Sequence, residues 1–259
     1  MNIFGKIADN VADARKVGPG FVARHLTPWR SRHRFSYKGR PLTIRAGGVD
    51  SQVVRYLLVN GEYNLVPTAK ARVRARYDAI LAAGRTPVIV DAGGNIGTTA
   101  VWFANDYPQA KVVTIEMEAG NFAILSENVR AWPNVIPLHA AIGDPAKSPF
   151  VAAAGSESWA FRPDFSEGGT IPVVSVQQAK EAAGPNGELL IVKIDIEGSE
   201  RELFSGDCAW LDEVQCVMIE PHDWLRPQED TSRTFQLEIG KRNFSVFLQS
   251  NNLIYVRRA

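Results

Sequence analysis

The sequence predicts an α/β protein whose mostly parallel sheet is doubly wound by helices and closes with an antiparallel C-terminal hairpin. Two observations predict this fold. From Pro87 onward, apolar runs of strand length alternate with helical segments, which is typical of parallel strands covered on both faces. Two β-branched segments near the C-terminus, Phe244 to Leu248 and Leu253 to Val256, flank a short polar turn. We therefore expect five parallel strands and a terminal hairpin in one domain, residues 87–259.

The composition is that of an ordinary globular protein. The 259 residues are 45% hydrophobic and 22% charged, which excludes disordered and collagen-like chains. No run approaches the roughly 18 consecutive apolar residues of a spanning helix. Cys208 and Cys216 lack metal-site spacing and are expected to be reduced, buried thiols. With no secretory signal pattern at the start, we expect a cytoplasmic protein.

Residues 1–86 are predicted to form an N-terminal extension packed on this domain. Its elements are an amphipathic helix within Met1 to Val17, a hairpin around Lys38-Gly39-Arg40 and a helix from about Ser51. No acidic residue lies between Asp13 and Asp50. Nine basic residues lie in this interval: Arg15, Lys16, Arg24, Arg30, Arg32, Arg34, Lys38, Arg40 and Arg45. Removing these nine from the 29 basic residues leaves 20 against 28 acidic ones, so a net charge of +1 hides a basic head on an acidic body.

The turn after the first parallel strand predicts a cofactor site. It reads Asp91-Ala-Gly93-Gly94-Asn95-Ile-Gly97, and such turns bind ligands at the carboxyl ends of strands. Glycines allow close backbone approach, and the following helix presents free N–H groups. Glu116 ends the next strand, 25 residues beyond Asp91, where a carboxylate accepts ribose hydroxyls. An opening aspartate suits the cationic methionine end of S-adenosylmethionine (SAM) better than an anionic pyrophosphate.

Three further residues are predicted to contact the cofactor. Met117 follows Glu116 and is placed to pack on adenine. Ala141 and Asp144 follow the third strand, where this kind of fold contacts adenine. For Asp144 an equal alternative is a cap on the next turn.

The fourth strand predicts the reacting centre. Lys193, Asp195 and Glu197 alternate with apolar residues, so their side chains share one face and meet at the carboxyl edge of the sheet. The alternative is an internal salt-bridge cluster. His222 follows Glu220 after the fifth strand and is a competing base, although a lone histidine is more often structural.

Several blocks together resemble the FkbM-type SAM-dependent methyltransferase family. They are Val90 to Gly97, Ile115-Glu116, Leu125-x-x-Asn128-Val129, Lys193 to Glu200 and Val217 to His222. The resemblance covers most of residues 50 to 222. It implies a class I methyltransferase fold of Rossmann-like type and O-methylation of hydroxyls on sugars, glycans or secondary metabolites. It also implies cofactor contacts from Asp91, Gly93, Asn95, Gly97 and Glu116, and active-site roles for Lys193, Asp195 and Glu197.

The mechanism expected for such an enzyme is an in-line displacement on an aligned hydroxyl. Asp195 or Glu197 would take the hydroxyl proton, and Lys193 would hold the carboxylate or stabilise the alkoxide. We assign no metal ligand, and SAM is the one cofactor expected. A metal-assisted version through Asp195, Glu197, Glu220 and His222 stays open, since the sequence does not show that these residues converge.

The acceptor is expected to contact an insertion at about residues 147–170. Trp159 would stack on a sugar face, and Ser156 and Ser158 would bond its hydroxyls. A surface hairpin with packed aromatics is the alternative. Tyr63 is expected to cover the site from the N-terminal side.

Three other functions remain as alternatives. The first is a nucleic-acid methyltransferase using the basic head, although no strong nucleic-acid signal is present. The second is a nicotinamide-dependent oxidoreductase, which lacks its dinucleotide fingerprint here. The third is a protein that binds the membrane surface through the amphipathic helix and arginines. We predict that basic residues 15–45 face an acidic glycan, another anionic carrier or a membrane, which would make the protein peripheral to that membrane.

Overall fold

The computed structural model describes residues 12–27, 29–148, 150–154, 162–164, 169–224 and 228–258. Most of the predicted first helix therefore lies outside the described residues, as do Ser156, Ser158 and Trp159. Within the described residues, no helix combines the length and apolar character needed to cross a bilayer.

The N-terminal extension contains a β-hairpin with helical segments before and after it. Its elements are α1 (Pro19–Ala23), β1 (Arg32–Tyr37), β2 (Arg40–Arg45), α2 (Asp50–Val54), a π-helical stretch (Arg55–Asn60) and α3 (Pro67–Ala82). The hairpin turns at Lys38-Gly39, as predicted, because both residues adopt positive φ angles. Pro67 stands in the first turn of α3, where its missing N–H costs nothing.

The first half of the domain alternates strand and helix as predicted. Its elements are β3 (Thr86–Ala92), α4 (Thr98–Asp106), β4 (Lys111–Glu116), α5 (Ala119–Val129) and β5 (Val135–His139). The Glu118 side chain accepts from the N–H groups of Gly120 and Asn121, which starts α5.

The insertion forms a small second sheet. Its strands are β6 (Ala141–Ile142), β7 (Phe150–Ala154), β8 (Arg162–Asp164) and β9 (Ile171–Val174). The order is β6-β9-β7-β8, with β7 antiparallel to both neighbours. Of these strands, β7 and β8 lie within the predicted insertion and pair antiparallel as in a hairpin, which was the alternative for this segment, and β6 and β9 flank it. The pairing of β9 with β6 was not predicted.

The remaining elements complete the fold. They are α6 (Val176–Ala182), β10 (Gly187–Ile194), α7 (Glu200–Phe204), a 3-10 turn (Ala209–Asp212), β11 (Cys216–Ile219), α8 (Arg233–Gly240), β12 (Phe244–Gln249) and β13 (Asn252–Arg257). Ser175 and Gln178 form a capping box that starts α6.

The central sheet has the strand order β12-β13-β11-β10-β3-β4-β5 in the described part of the chain. β11, β10, β3, β4 and β5 are parallel, and β13 runs antiparallel to β11 and β12. The predicted doubly wound parallel sheet with a terminal antiparallel hairpin is therefore confirmed. The strands that follow β3, namely β4 and β5, lie on one side of it. Those that follow β10, namely β11 and the terminal hairpin, lie on the other side, so the strand order reverses between the neighbours β3 and β10. Ligands of open α/β sheets bind at such a switch point.

Apolar layers cover both faces of the sheet. Alternate residues of β3 enter opposite layers, because Ile89 packs in one and Val88 and Val90 pack in the other. The first layer also contains Leu42 and Ile44 of the hairpin, so the extension shares a core with the sheet. Both cysteines are free and buried, as predicted.

Several of the nine basic residues contact their own chain. Arg45 pairs with the buried Asp50, with Nη2 to Oδ1 at 2.9 Å, and also donates to Asn121. The Arg24 guanidinium lies over the Phe21 ring, and that of Arg40 lies over the Trp132 ring. These side chains stabilise the fold. The other six form an exposed basic group, in which Lys16 also donates to the Val59 carbonyl and Arg32 also pairs with Glu127: Arg15, Lys16, Arg30, Arg32, Arg34 and Lys38.

Candidate active site

Two adjoining cavities open at the switch point of the sheet. The first has a volume of about 600 Å³, and its wall includes Gly93, Asn95, Glu116, Met117, Asn121 and Ala141. The second has a volume of about 1010 Å³, and its wall includes Tyr63, Lys193, Glu220, His222, Trp224 and Asn251. Gly93, Asn95, Asp195 and Glu197 line both cavities. A molecule in one cavity can therefore meet a molecule in the other beside these carboxylates.

Glu116 is held rigidly at the first cavity. Its Oε2 accepts from the Asn95 N–H at 2.7 Å, and its Oε1 accepts from the Glu118 N–H at 2.8 Å. Each carboxylate oxygen has a further lone pair to accept a hydroxyl. Burial raises the pKa of Glu116 to about 7, and the two backbone hydrogen bonds oppose that rise.

The glycine loop after β3 packs very closely against the residues around it. Gly93 has φ +83°, and a Cβ there would lie 1.8 Å from the Asp195 carbonyl oxygen. A Cβ on Gly94 would lie 2.3 Å from Thr114 Oγ1. Gly97, also at positive φ, immediately precedes α4. The loop can take this path only because these positions lack side chains.

Asp91 and Lys193 form a buried pair beneath the loop. Asp91 is fully buried, with Oδ1 3.3 Å from Lys193 Nζ and Oδ2 accepting from Thr114 Oγ1 at 2.9 Å. Lys193 Nζ also donates to the Gly93 carbonyl at 2.8 Å. Burial lowers the pKa of Lys193, but the neighbouring acidic groups, Asp91 first among them, together outweigh burial and raise the pKa, so the ammonium stays charged. The pair ties the loop to β10.

Lys193 also connects to the shared wall. Its Nζ lies 3.6 Å from Asp195 Oδ2. The alternating side chains of the fourth strand do meet at the carboxyl edge, since Lys193 and Asp195 both line the second cavity. Glu197, two residues further, has a positive φ of 55° and faces both cavities. A non-glycine residue in this region of backbone space is strained, and such strain concentrates at functional sites.

His222 lies at the back of the second cavity with one nitrogen anchored. It is 2% exposed, and its Nδ1 lies 2.7 Å from Glu200 Oε1. Its Nε2 lies 3.7 Å from Asp195 Oδ1 and 3.5 Å from Glu197 Oε2. Burial lowers the pKa of His222, but the hydrogen bond to Glu200 and the charges of Glu200 and Asp195 raise it to about 9.

The carboxylates of the second cavity affect one another. Burial raises the pKa of Glu197 to about 7, and the charge of Asp195 adds to the rise. Burial and the charge of Asp195 likewise raise the pKa of Glu220. The cavity is therefore an electronegative environment.

Other predicted residues occupy different places. Tyr63 is 3% exposed on the wall of the second cavity and stacks on Phe103, with ring centroids 6.1 Å apart. Asp144 caps a turn, because its Oδ1 accepts from the Ala146 N–H at 3.0 Å. All the cofactor contacts, substrate contacts and catalytic roles predicted from the sequence stay predictions, and Ser156, Ser158 and Trp159 lie outside the described residues.

The structure adds residues to which the sequence assigned no role. Thr114 orients Asp91, Glu200 orients His222, and Asn251 lines the second cavity beside Glu220. Asn121 lines the first cavity and accepts from Arg45. Only Glu200 stood within a quoted sequence block. The others lie in unremarkable surroundings and become visible through the tertiary contacts alone.

Known proteins similar to this chain include methyltransferases. The chain is 32% identical over 154 residues to the hexuronic acid methyltransferase AglP of Haloferax volcanii. That region covers 56% of this chain and 59% of AglP, so the chain matches less than two thirds of the relative's length. No protein-family model matches the chain.

Solved structures with a similar trace have low sequence identity. A precorrin-6y C5,15-methyltransferase from Geobacter metallireducens is 14% identical, with 76% of this chain and 92% of that chain covered and a TM-score of 0.37. Fibrillarin of Aeropyrum pernix with bound S-adenosyl-L-methionine is 11% identical, with 66% and 65% covered and a TM-score of 0.37. The fold assignment accordingly rests on the sheet described above.

Proposed function

We propose that this protein is a SAM-dependent O-methyltransferase that acts on a hydroxyl of a sugar, a glycan or a secondary metabolite. The observation that carries the proposal is the junction of two cavities at Asp195 and Glu197. One cavity has the features of a nucleoside site, and the other is a larger cleft lined by carboxylates. Methyl transfer requires this layout, because the methyl group of the donor and the oxygen of the acceptor must lie in line where the two cavities meet.

The first cavity fits SAM. The glycine loop lets the backbone approach the cofactor, and Glu116 presents oxygens to the ribose hydroxyls. Met117, Ala141 and Ile142 supply an apolar wall for the adenine ring. Bound there, SAM would supply an electrophilic methyl group on a sulfonium.

The two carboxylates that line both cavities, Asp195 and Glu197, would have different tasks. Glu197 faces both cavities and would take the proton of the acceptor hydroxyl. Asp195 has its Oδ2 3.6 Å from Lys193 Nζ, which holds that carboxylate in place. Lys193 itself is fixed by Asp91 and two backbone carbonyls, so this part of the site is rigid before any ligand enters.

A sugar hydroxyl is the acceptor that the cleft favours. Carboxylates and Asn251 offer many hydrogen-bond acceptors and donors, and Trp224, 66% exposed, offers a ring at the rim for stacking on a sugar face. The similarity to a hexuronic acid methyltransferase supports a sugar. We also propose that the chain belongs to the FkbM-type methyltransferases, on the sequence blocks quoted above, and that it acts in the cytoplasm.

The exposed basic group of the extension would bind the carrier of the acceptor. Arg32 and Arg34 alternate with buried residues on β1, so both point outward from the hairpin. Leu26 and Trp29 next to them are 74% and 78% exposed. Cations beside exposed apolar side chains suit an anionic lipid surface. Sedimentation with phosphatidylglycerol vesicles tests this role. We expect vesicle binding that decreases as the salt concentration rises and that is weaker in the double variant Arg32→Glu/Arg34→Glu.

Calorimetry with SAM and with NAD tests the cofactor. We expect SAM to bind and NAD not to bind; the reverse result would refute the methyltransferase proposal and favour an oxidoreductase. Methyl-labelled SAM incubated with cell extract then tests transfer, with Asp195→Asn as the comparison. Label that nuclease treatment removes would favour a nucleic-acid acceptor, and label transferred equally by both proteins would exclude a role for Asp195.

A further inference from the structure

The second cavity brings together three side chains of metal-ligand type. One oxygen each of Asp195 and Glu220 and one ring nitrogen of His222 lie within 4.8 Å of one another. Two opposite ligands of a divalent cation stand about 4.4 Å apart when each bond is about 2.2 Å. Movement of these side chains by a few tenths of an ångström would bring all three atoms to bonding distance.

We propose that Asp195, Glu220 and His222 bind one divalent cation, for which Mn²⁺ is the best match, and that this cation chelates two neighbouring oxygens of the acceptor. Carboxylates suit Mg²⁺, Ca²⁺ and Mn²⁺, and an imidazole shifts the preference toward the transition metals, so a set of two oxygens and one nitrogen favours Mn²⁺. The cation site stands on geometry alone. Its role toward the acceptor rests on the proposed methyltransferase function.

His222 is oriented as metal-binding histidines are. Its Nδ1 faces Glu200 Oε1 at 2.7 Å, and Glu200 is itself fully buried. A carboxylate on one ring nitrogen fixes the ring and leaves the other nitrogen directed at a metal. The other nitrogen, Nε2, faces the cavity and is farther from both Asp195 and Glu197 than an ordinary hydrogen bond. A side chain that is 2% exposed thus directs its second ring nitrogen toward the carboxylates that line the cavity.

The charges around the cavity also favour a cation. Asp195, Glu197 and Glu220 line it together, whereas of the two basic groups there Lys193 is already shared with the buried Asp91, and His222 would release its proton to a bound cation. An anionic acceptor would be repelled by this wall, and even a neutral sugar would meet mainly hydrogen-bond acceptors. A divalent cation would reverse that electrostatic preference.

Coordination by three protein atoms restricts the kind of acceptor. A six-coordinate cation would have about three positions left for acceptor oxygens or water. Two adjacent positions fit a vicinal diol of a sugar, or a hydroxyl next to a carboxylate. Glu197 is not needed as a ligand, so it stays available to take the proton of the chelated hydroxyl. The inferred substrate class is therefore an acceptor with two neighbouring oxygen donors.

Titration with Mn²⁺ alone, followed by electron paramagnetic resonance, tests the site without SAM or acceptor. We expect one saturable site in the wild type. Glu220→Gln and His222→Gln should weaken binding by at least ten-fold, and Glu200→Gln by about 10- to 100-fold. Glu181→Gln, which changes an exposed carboxylate on α6, is the matched control and should leave Mn²⁺ binding unchanged.

SAM binding by each variant shows whether that variant is folded. It also distinguishes failure of the cation site from failure of the methyltransferase proposal. Wild-type protein that binds SAM but no Mn²⁺ would overturn the cation site and leave the methyltransferase proposal standing. Equal Mn²⁺ binding by wild type, Glu220→Gln and His222→Gln would also overturn it. Mn²⁺ binding without SAM binding would retain the cation site and refute the proposed activity. In the complete protein, acceptor methylation that persists undiminished in excess EDTA would reject the chelating role.

Discussion

Gly93 and Asp195 lie in direct backbone contact where the sheet reverses its order. A Cβ on Gly93 would stand 1.8 Å from the Asp195 carbonyl oxygen, and both residues line both cavities. The loop after β3 and the loop after β10 are thus packed backbone to backbone. The glycine loop and the carboxylates that line both cavities consequently form one unit.

Gly93→Ala is expected to disrupt this unit. The positive φ costs about 1–2 kcal/mol for an L-residue, and the clash with the Asp195 carbonyl adds about 1–3 kcal/mol. SAM binding should weaken at least ten-fold. Gly84→Ala is the control, since Gly84 has φ +70° but open space around it, and it should show the conformational cost alone. Equal losses of unfolding free energy in the two variants would show that the contact is unimportant.

The ionisation of Glu116 should control nucleoside affinity. Burial holds its pKa at about 7, and only the ionised carboxylate accepts both hydroxyl hydrogen bonds. Affinity should therefore fall as the pH falls through 7, by roughly ten-fold between pH 8 and pH 6. Calorimetry with 5′-methylthioadenosine measures this, since that ligand keeps the ribose and lacks the titrating amine of methionine. Glu116→Gln should bind weakly at every pH; a dependence that survives in this variant would assign the titration to another group.

Lys193→Met should destabilise the fold. It would leave Asp91 charged and fully buried without its partner, which costs about 3–5 kcal/mol. Adding Asp91→Asn should recover part of this loss, because it removes the uncompensated charge. Urea unfolding measures both. Lys241→Met breaks an exposed pair and should cost below about 1 kcal/mol. A loss in Lys193→Met no larger than that would mean that the buried pair does not stabilise the fold.

Asn128→Ala should detach the hairpin from the glycine loop. The Asn128 side chain accepts from the Thr43 N–H at 2.6 Å and donates to the carbonyls of Thr43 and Ile96. Losing these buried bonds should cost about 2–4 kcal/mol. Amides of β2 should then exchange hydrogen faster, whereas the exposed Asn186→Ala should leave them unchanged. Unaltered exchange in β2 would show that the extension is held by its apolar core instead.

The sequence predicted the features that depend on local patterns. It missed those that depend on contacts between residues far apart in the chain. The five parallel strands β3, β4, β5, β10 and β11 were predictable because each is a local apolar run, and Lys193 and Asp195 meet because strand alternation places them on one face. The short strands β6 and β9 lack a readable period and pair through distant contacts. The same holds at the site, where Glu200 begins α7 and His222 follows β11, 22 positions further along the chain. Local patterns predict the scaffold, and only the tertiary structure shows which side chains orient others.

Glu197→Gln should separate binding from chemistry. Glu197 faces both cavities, and the glutamine side chain keeps its size but cannot accept the hydroxyl proton. We expect kcat to fall by about 10²- to 10⁴-fold with the SAM dissociation constant within a few-fold of wild type. Single-turnover assays with labelled SAM measure the methyl-transfer step, and Glu181→Gln is the surface control. A variant with unchanged kcat would reassign the base to Asp195, because Asp195 is the other carboxylate that lines both cavities.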